Sequence, residues 1–325
     1  MKILLTHTPH MRDNYYGARA LSGLQSLGEV VLHQGTETLE GARLISAARD
    51  CDLIVADRAT ALPAPIFDGL ASLKAALRCA VDIRNIDVAA ASAEGVLVTR
   101  ASPGFVSAVA ELALGFMVDL SRGVSRATAD YHEGRQPEVV MGRQLAGSRL
   151  GIIGYGSIGR HLAGLAKALG MEVLVADPFV TINEVGIKHL SLEELMGRAD
   201  YVVCLAIANE QTENLSGEQA LARMQKHAVL INLSRGNLVD ETALAAALRE
   251  NLIAGAAMDV GRAPDQMPSM GLAKLPNVIA TPHIGGLTPQ AIEHQAMETV
   301  RQVALIIKGE APIGAVNAEH WTRRR

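Results

Sequence analysis

The sequence has few cysteines, no surplus of positive charge and no long apolar run, and each shortage excludes a class of protein. Its three cysteines, Cys51, Cys79 and Cys204, lie in apolar runs, and no Cys/His spacing typical of metal sites occurs. We therefore expect buried thiols and no metal site. With 30 basic and 34 acidic side chains the net charge is −4, so neither nucleic acid nor an anionic membrane is a favoured partner.

The two ends of the chain predict no targeting or anchoring segment. The first apolar run ends at Thr6, which is too short for a signal peptide or a membrane span. The C-terminal WTRRR is interpreted as a solvated tail rather than a binding arm. We expect a cytoplasmic protein that does not contact membranes.

Apolar residues in short runs are what the sequence has in quantity. Its 325 residues, 49% hydrophobic and 20% charged, predict two globular domains. Runs rich in leucine and β-branched residues alternate with alanine-rich segments of helical period, which is typical of parallel sheets with crossover helices. Long helices are predicted over residues 105–132 and 290–308. The predicted strands are residues 2–6, 29–33, 52–56, 73–79, 96–99, 149–154, 172–177, 201–206, 227–233, 253–259 and 277–283.

The segment RLGIIGYGSIG, residues 149–159, predicts a dinucleotide-binding turn between a strand and a helix. Gly154 permits the tight turn, Gly156 lets a pyrophosphate approach the backbone, and Gly159 lets the helix pack on the strand. The helix N-terminus offers N–H groups to that phosphate. The next strand ends in Asp177, about 20 residues past Gly156, where a carboxylate accepts hydrogen bonds from ribose hydroxyls. The predicted cofactor-binding residues here are Gly154, Gly156, Ser157, Ile158, Gly159 and Asp177.

Asp177 also distinguishes between the two nicotinamide cofactors. A 2′-phosphate would meet a like charge at Asp177, and the following residues 178–181, PFVT, offer no cation. The sequence therefore predicts NAD rather than NADP.

Three further polar residues, Arg235, Asp259 and His283, each follow an apolar strand of the second series. Open α/β sheets bind ligands at the carboxyl ends of their strands. A guanidinium can bind a carboxylate through two parallel hydrogen bonds, and a histidine with a free pKa of about 6.5 can exchange a proton near neutral pH. Each residue alone has a structural explanation, but together they favour an active site.

Six blocks of the chain, in order and spacing, resemble the D-isomer-specific 2-hydroxyacid dehydrogenases, the family of D-lactate, glycerate and 3-phosphoglycerate dehydrogenases. The resemblance covers nearly the whole chain. The blocks are NIDVAAASAEGVLV (85–98), AVAELALGFM (108–117), GIIGYGSIGR (151–160), AVLINLSRGNLVDETALAAAL (228–248), AGAAMDV (254–260) and LPNVIATPHIGG (275–286).

This resemblance implies an α/β protein with two doubly wound parallel-sheet domains. A flavodoxin-like substrate domain would comprise residues 1–100 and 288–325, and an inserted Rossmann domain, residues 101–287, would bind NAD. It also implies a homodimer, with residues 103–145 forming much of the interface. The substrate would be a small 2-hydroxy or 2-keto acid.

The resemblance also implies a role for each matching site residue. His283 matches the catalytic acid/base, which takes the hydroxyl proton as hydride leaves C2 of the substrate, or donates it in reverse. Arg235 matches the arginine that binds the substrate carboxylate and polarises the C2 oxygen. Asp259 matches the acceptor for the nicotinamide carboxamide, and Leu233 and Ser234 match contacts to the same ring. The glycine pair after the histidine, Gly285 and Gly286, is also predicted to contact the cofactor.

The sequence departs from the family where a glutamate normally precedes a proline and pairs with the histidine. Ala263 precedes Pro264, Gly261 replaces an aromatic residue, and the nearest carboxylate is Asp265, on the other side of the proline. Three hypotheses stay open: His283 works with a water or a backbone carbonyl, Asp265 substitutes for the glutamate, or the protein binds NAD without this turnover. The main alternative to a dehydrogenase is therefore an NAD-binding sensor or scaffold.

The predicted substrate-binding residues are Arg58, Val81 and Asp82. Residues 80–83 match the family's glycine-rich loop for the substrate carboxylate, but Asp82 stands where glycine is usual. Its negative charge could be offset by Arg58, Arg84 or Arg100 in neighbouring loops. The family's Arg-Ser pair after the third strand is replaced by an aspartate followed by Arg58.

Overall fold

The structure of the protein, a computed structural model, describes residues 1–263 and 266–324. The chain divides into two compact units, one of Met1–Gly104 with Pro289–Arg325 and the other of Phe105–Thr288. Each unit is built on one parallel sheet.

The strands and helices of the described residues are numbered in chain order. The strands are β1 (Lys2–Leu5), β2 (Glu29–Leu32), β3 (Leu53–Ala56), β4 (Ala75–Arg78), β5 (Leu97–Arg100), β6 (Arg149–Ile153), β7 (Glu172–Ala176), β8 (Ile187–His189), β9 (Tyr201–Cys204), β10 (Val229–Asn232), β11 (Gly255–Met258) and β12 (Val278–Ala280). The helices are α1 (Pro9–Tyr15), α2 (Ala18–Leu27), α3 (Gly41–Ala48), α4 (Ala64–Asp68), α5 (Val88–Ala93), α6 (Val106–Arg122), α7 (Val124–His132), α8 (Ser157–Ala168), α9 (Leu192–Arg198), α10 (Glu218–Ala222), α11 (Glu241–Arg249), α12 (Met270–Ala273) and α13 (Pro289–Ile307).

The first unit contains a five-stranded sheet of order β2-β1-β3-β4-β5, and every pair of neighbouring strands is parallel. Side chains from α3, α4 and α5 form one apolar core cluster with the sheet, and α2 and α13 contribute to another. The central strands β3 and β4 are buried throughout, which is why they are apolar almost without interruption. This strand order is flavodoxin-like, as the resemblance implies.

The second unit contains a seven-stranded parallel sheet of order β12-β11-β10-β9-β6-β7-β8. From β6 the chain adds β7 and β8 on one side and then β9 to β12 on the other. The boundary between the parallel strands β6 and β9 is therefore the switch point of a doubly wound dinucleotide-binding fold. Helices α6 and α8 share one core cluster with the sheet, and α9, α10 and α11 share the other. The predicted fold class is thus confirmed. The edge strand β8, which is three residues long and largely exposed, was not predicted because IKH carries no apolar run.

The single helix predicted over residues 105–132 is instead two helices, α6 and α7, separated by Gly123. This glycine has φ 65° and ψ 36°, in the left-handed region where glycine pays no Cβ penalty. Asp119 fastens the junction, since its carbonyl accepts from Gly123 N (2.6 Å) and its carboxylate accepts from Ser125 N (2.8 Å). The prediction was wrong here because the apolar period continues across a residue whose backbone breaks the helix.

The solvated tail predicted for the C-terminus is also wrong for Trp321 and Arg323, whereas Thr322 and Arg324 are exposed. Trp321 is only 2% exposed and donates from Nε1 to the carbonyl of Lys74 (3.1 Å). Arg323 donates to Glu94 (2.6 Å) and to three carbonyls of the turn that precedes β4. The basic residues therefore satisfy backbone acceptors of the first unit, a use that composition alone does not reveal.

The three cysteines are free thiols and all are buried, as predicted. Burial raises the pKa of Cys79 and of Cys204 to about 12. Among the described residues, none of the helices has both the length and the apolar content that crossing a membrane requires.

A buried carboxylate, Asp200, ties together the amino-terminal ends of three strands of the second unit. Its side chain accepts hydrogen bonds from the backbone (2.7 Å) and guanidinium (3.0 Å) of Arg149 and contacts His227 Nε2 at 2.7 Å. Burial opposes ionisation of Asp200, but the hydrogen bonds from Arg149 and His227 outweigh it and hold its pKa at about 2.

Replacing Asp200 by Asn should lower the free energy of unfolding by about 2 kcal/mol at neutral pH. The carboxylate's contribution to the free energy of unfolding is fully present above its unfolded pKa of about 3.8. It is lost as the pH falls through the folded pKa of about 2. Thermal unfolding followed across this acid range should therefore show wild type and variant converging. The exposed ion pair of Glu172 with Lys188 (2.6 Å) gives the control, since Glu172→Gln should cost under about 1 kcal/mol. A difference between wild type and Asp200→Asn that persisted unchanged at low pH would contradict this account.

Candidate active site

The glycine-rich turn after β6 has open space beside one glycine and is closely packed against protein backbone at two others. Gly154 has φ 94°, and a Cβ there would lie 2.6 Å from the backbone N of Ala206. A Cβ on Gly159 would lie 2.4 Å from the carbonyl O of Gly154. At Gly156, apart from its own chain neighbours and helix backbone, none of the described residues has an atom within 4 Å of the corresponding position. The open side of Gly156 is where a phosphate can approach the backbone.

Helix α8 begins at Ser157, directly after this turn, with Gly156 at its N-cap. A glycine has no side chain to accept from the first N–H groups of the helix, so these donors remain for an anion. Ser157 and Ile158 form the start of that first turn.

Asp177 lies beside the turn, at the end of the neighbouring strand β7. Its carboxylate accepts from Tyr155 N (2.7 Å) and from Phe179 N (2.9 Å), which fixes its orientation. Each carboxylate oxygen still has acceptor capacity for a ribose hydroxyl. The turn, the helix start and Asp177 therefore fit the pyrophosphate and the adenosine ribose of a dinucleotide.

A cluster that the sequence analysis missed braces this turn. The buried Tyr155 donates its hydroxyl to Glu184 (2.9 Å), and Arg160 donates to the same carboxylate (2.8 Å) while lying 4.5 Å from the tyrosine ring centre. Burial and the Glu184 carboxylate raise the pKa of Tyr155 to about 12. No spacing rule could find the cluster, because Glu184 is more than 20 residues from its partners.

Arg235, Asp259 and His283 lie past the carboxyl ends of three neighbouring strands of the same sheet. Strand β10 pairs with β11, and β11 pairs with β12, all in parallel. The structure therefore brings these three sequence-predicted residues to one edge of the second unit.

Asp259 is 2% exposed and holds the loop that carries His283. Its carboxylate accepts from Thr281 Oγ1 (2.6 Å), Ile284 N (2.8 Å) and Gly285 N (2.7 Å). His283 has φ 55°, a conformation that costs a residue other than glycine about 1–3 kcal/mol and persists only where its surroundings impose it. Asp259 thus supports the histidine's loop on both sides, a contact that the resemblance did not imply.

The residues around Arg235 form a compact turn organised by the fully buried Asn232. Its side chain accepts from Ser234 N (3.1 Å) and donates to the carbonyl of Arg235 (2.8 Å). Ser234 donates its hydroxyl to Ala206 O (2.7 Å), and Leu233 is nearly buried. Asn232 was missed because it lies inside the run predicted as an apolar strand, residues 227–233.

The glycine pair after His283 is packed closely. A Cβ on Gly285 would lie 2.9 Å from the carboxylate of Asp259, and one on Gly286 would lie 3.2 Å from Phe105 Cβ. In the described structure both glycines serve the packing of the loop, and their contact with the cofactor stays a prediction.

The predicted substrate residues lie in the first unit. Arg58 is exposed, and Val81 and Asp82 are partly buried. Arg84 pairs with the Asp82 carboxylate through Nη2 (2.6 Å) and Nε (3.0 Å). Arg84 therefore offsets the charge that Asp82 brings to the loop.

Asp57, which stands where the family has an arginine, is directed into the first unit. Its side chain accepts from the hydroxyls of Thr6 and Thr60, and the fully buried Arg78 donates to its carbonyl. Arg78 also donates to the carbonyl of Thr60 (2.9 Å). Asp57 and Arg78 thus form an internal polar network, which the sequence analysis did not identify.

Two residues on which one hypothesis depends, Pro264 and Asp265, lie outside the described residues. The pairing of Asp265 with His283 therefore stays a prediction from the sequence.

Comparison with known proteins gives the family. Residues 114–285 match the model of the D-isomer specific 2-hydroxyacid dehydrogenase NAD binding domain. The chain is also 31% identical to a glyoxylate reductase of Korarchaeum cryptofilum over 309 residues, covering 93% of each protein. The chain belongs to the D-isomer specific 2-hydroxyacid dehydrogenase family. The resemblance stated from the sequence is thereby confirmed, and so is NAD as the cofactor.

Two further family members show how far the similarity extends. A D-3-phosphoglycerate dehydrogenase of Methanocaldococcus jannaschii is 32% identical over 324 residues, which is 98% of this chain, but the chain spans only 59% of that protein's length. A D-lactate dehydrogenase of Lactobacillus jensenii, solved with NAD⁺, has a TM-score of 0.84 and 25% identity and covers 97% of this chain and 99% of its own.

Proposed function

We propose that the protein transfers a hydride between NAD and C2 of a small 2-hydroxy or 2-keto acid. Bound NAD supplies or accepts the hydride. The single observation that carries the proposal is the convergence of Arg235 and His283 at one sheet edge, with Asp259 holding the histidine's loop.

In this proposal Arg235 binds the substrate carboxylate and polarises the C2 oxygen. Asn232 donates to its backbone carbonyl, and Arg235 Nη1 donates to Ser234 O (2.8 Å), so both its backbone and its guanidinium are held at the turn after β10. His283 donates a proton to the C2 oxygen during reduction and removes it during oxidation. Asp259 accepts from the nicotinamide carboxamide as well as from the loop.

We assign substrate binding to residues 1–100 and 288–325 and cofactor binding to residues 101–287. Val81 and Asp82 would present backbone amides to the substrate carboxylate, with Arg58 nearby. The pairing of Arg84 with Asp82 supports this assignment, because it reduces the negative charge beside an anion site.

We expect NADH absorbance to fall when the protein meets one or more of glyoxylate, hydroxypyruvate, pyruvate and 2-oxoisocaproate. Arg235→Lys should keep the charge but lose the two-pronged geometry, which is worth about 1.5–3 kcal/mol, or about 10- to 100-fold in kcat/KM. NADPH in place of NADH gives the control for the Asp177 assignment. Absence of turnover with every acid, despite tight NADH binding, would contradict the proposal.

A second candidate function, an NAD-binding sensor or scaffold, is favoured by the position before Pro264, where Ala263 replaces the family's glutamate. It requires the same dinucleotide site but no hydride transfer. The acid panel separates the two, since a sensor binds NADH and leaves its absorbance unchanged.

We further propose a homodimer formed through residues 103–145. The support is a series of exposed apolar side chains in this segment, including Tyr131 at 68%, Val139 at 97% and Met141 at 95%. Sedimentation of wild type should give a dimer, and the pair of changes Val139→Glu and Met141→Glu should give a monomer. Ile313→Glu, at an equally exposed residue elsewhere, should leave the dimer intact, and a wild-type monomer would contradict the proposal.

A further inference from the structure

Arg262 lies in the loop that replaces the family's glutamate-bearing segment, and each of its three guanidinium nitrogens donates at least one hydrogen bond. Nε donates to Val239 O (3.1 Å), Nη1 to Glu213 Oε1 (2.7 Å), and Nη2 to Asn214 Oδ1 (2.5 Å) and Asn237 O (2.9 Å). Its backbone N–H donates to Glu241 Oε1 (3.0 Å). One side chain thus connects three segments of the second unit.

The loop also meets the Arg235 turn backbone against backbone. A Cβ on Gly236 would lie 2.0 Å from the carbonyl carbon of Gly261, so only glycine fits at residue 236. A Cβ on Gly261 would in turn lie 2.4 Å from the carbonyl O of Met267. The glycine that replaces the family's aromatic residue at 261 therefore permits residues 267 and 268 of the same loop to pack against it, which a larger side chain would prevent.

These contacts end immediately beside Arg235. Asn237 and Val239, whose carbonyls accept from Arg262, belong to the turn that follows Arg235, and Leu238 N donates back to the Arg235 carbonyl (3.3 Å). We propose that Arg262 is a positioning residue for Arg235: by fastening residues 236–241 to the 261–263 loop, it sets where the substrate-binding guanidinium lies. This inference rests on the role of Arg235 in the proposed function.

An arginine is required because the acceptors are arranged around all three nitrogens of its planar guanidinium group. Four hydrogen bonds leave three nitrogen atoms of one planar group, a geometry that a lysine ammonium cannot reproduce. Hydrogen bonds from Asn237 and Arg262 lower the pKa of Glu213, so its carboxylate stays charged well below neutral pH.

The test compares Arg262→Lys and Arg262→Ala with wild type. We expect KM for the accepted 2-keto acid to rise by about tenfold to a hundredfold and kcat to fall as well, because a displaced Arg235 binds the substrate carboxylate and polarises the C2 oxygen less well. The NADH dissociation constant, measured by fluorescence, should stay within about twofold, since the dinucleotide turn is untouched. Arg223→Lys, at an exposed arginine that pairs with Glu193 (3.0 Å), is the matched control and should leave KM unchanged.

A second measurement does not depend on turnover. Hydrogen exchange of the amides in residues 236–241 should speed up at least about tenfold in Arg262→Ala and less in Arg262→Lys, while exchange in residues 151–160 stays constant. Unchanged exchange, or unchanged KM in both variants, would overturn the inference. If wild type reduces none of the acids, the proposed function fails, and faster exchange would still support the positioning of residues 236–241.

Discussion

Replacing His283 by Asn should lower kcat for 2-keto acid reduction by about 10²–10⁴-fold, because the C2 oxygen then has no proton donor of suitable pKa. NADH affinity should change little, since the glycine turn and Asp177, which we propose to bind the pyrophosphate and the ribose, are unaltered. The measurement is steady-state turnover together with fluorescence titration of NADH. His161→Asn, at an exposed histidine on α8, is the matched control and should keep full activity.

The variant Asp265→Asn separates the two hypotheses in which His283 works as the acid/base. If Asp265 is the histidine's partner, Asp265→Asn should lower kcat and shift the pH profile towards the free imidazole pKa of about 6.5. If a water or a backbone carbonyl serves instead, Asp265→Asn should leave both unchanged. A His283→Asn variant as active as wild type would remove the histidine from the mechanism altogether.

Replacing Asp259 by Ala should destabilise the second unit by several kcal/mol. The change leaves the buried amide of Gly285, the partly buried amide of Ile284 and the Thr281 hydroxyl without their acceptor, at about 1–3 kcal/mol for a buried group and less for the partly buried ones. That loss is a large fraction of a typical domain stability of about 5–15 kcal/mol. Turnover should fall as well, because the strained backbone at His283 loses its restraint.

Thermal unfolding, with and without NADH, measures the stability effect. Asp240→Ala is the control, because Asp240 also accepts from two backbone amides, but at the partly exposed N-cap of α11, where the loss costs about 1 kcal/mol. Asp259→Asn keeps one acceptor oxygen and should fall between wild type and Ala. An Asp259→Ala variant as stable as Asp240→Ala would show that the three hydrogen bonds contribute little.

The support that Asp259 gives to the His283 loop and its predicted contact with the nicotinamide affect different measured constants. Loss of the carboxamide contact raises the NADH dissociation constant, whereas a displaced His283 lowers kcat with NADH bound. Measuring both constants in Asp259→Asn apportions the two roles.

The sequence by itself determined the features that depend on the periodicity of apolar residues or on residues that are close together along the chain. Buried parallel strands are covered on both faces and therefore appear as short apolar runs, from which both sheets were predicted. The glycine spacing at 154–159 and the carboxylate at Asp177 were predictable because a strand, a turn and a helix follow one another there. Arg235, Asp259 and His283 were placed together because parallel strands end at the same edge.

Only the tertiary structure decided the contacts between segments that are distant along the chain. Asp259 reaches residues more than 20 positions later, Glu184 braces Tyr155 across a similar gap, and Arg262 meets Glu213 nearly 50 positions earlier. Trp321 is buried against β4 although it stands in a basic terminus. Such contacts depend on every turn and packing distance between the partners, and no local pattern of residues encodes that sum. The family assignment therefore followed from the sequence, whereas the supports of Arg235 and His283 became visible only in the fold.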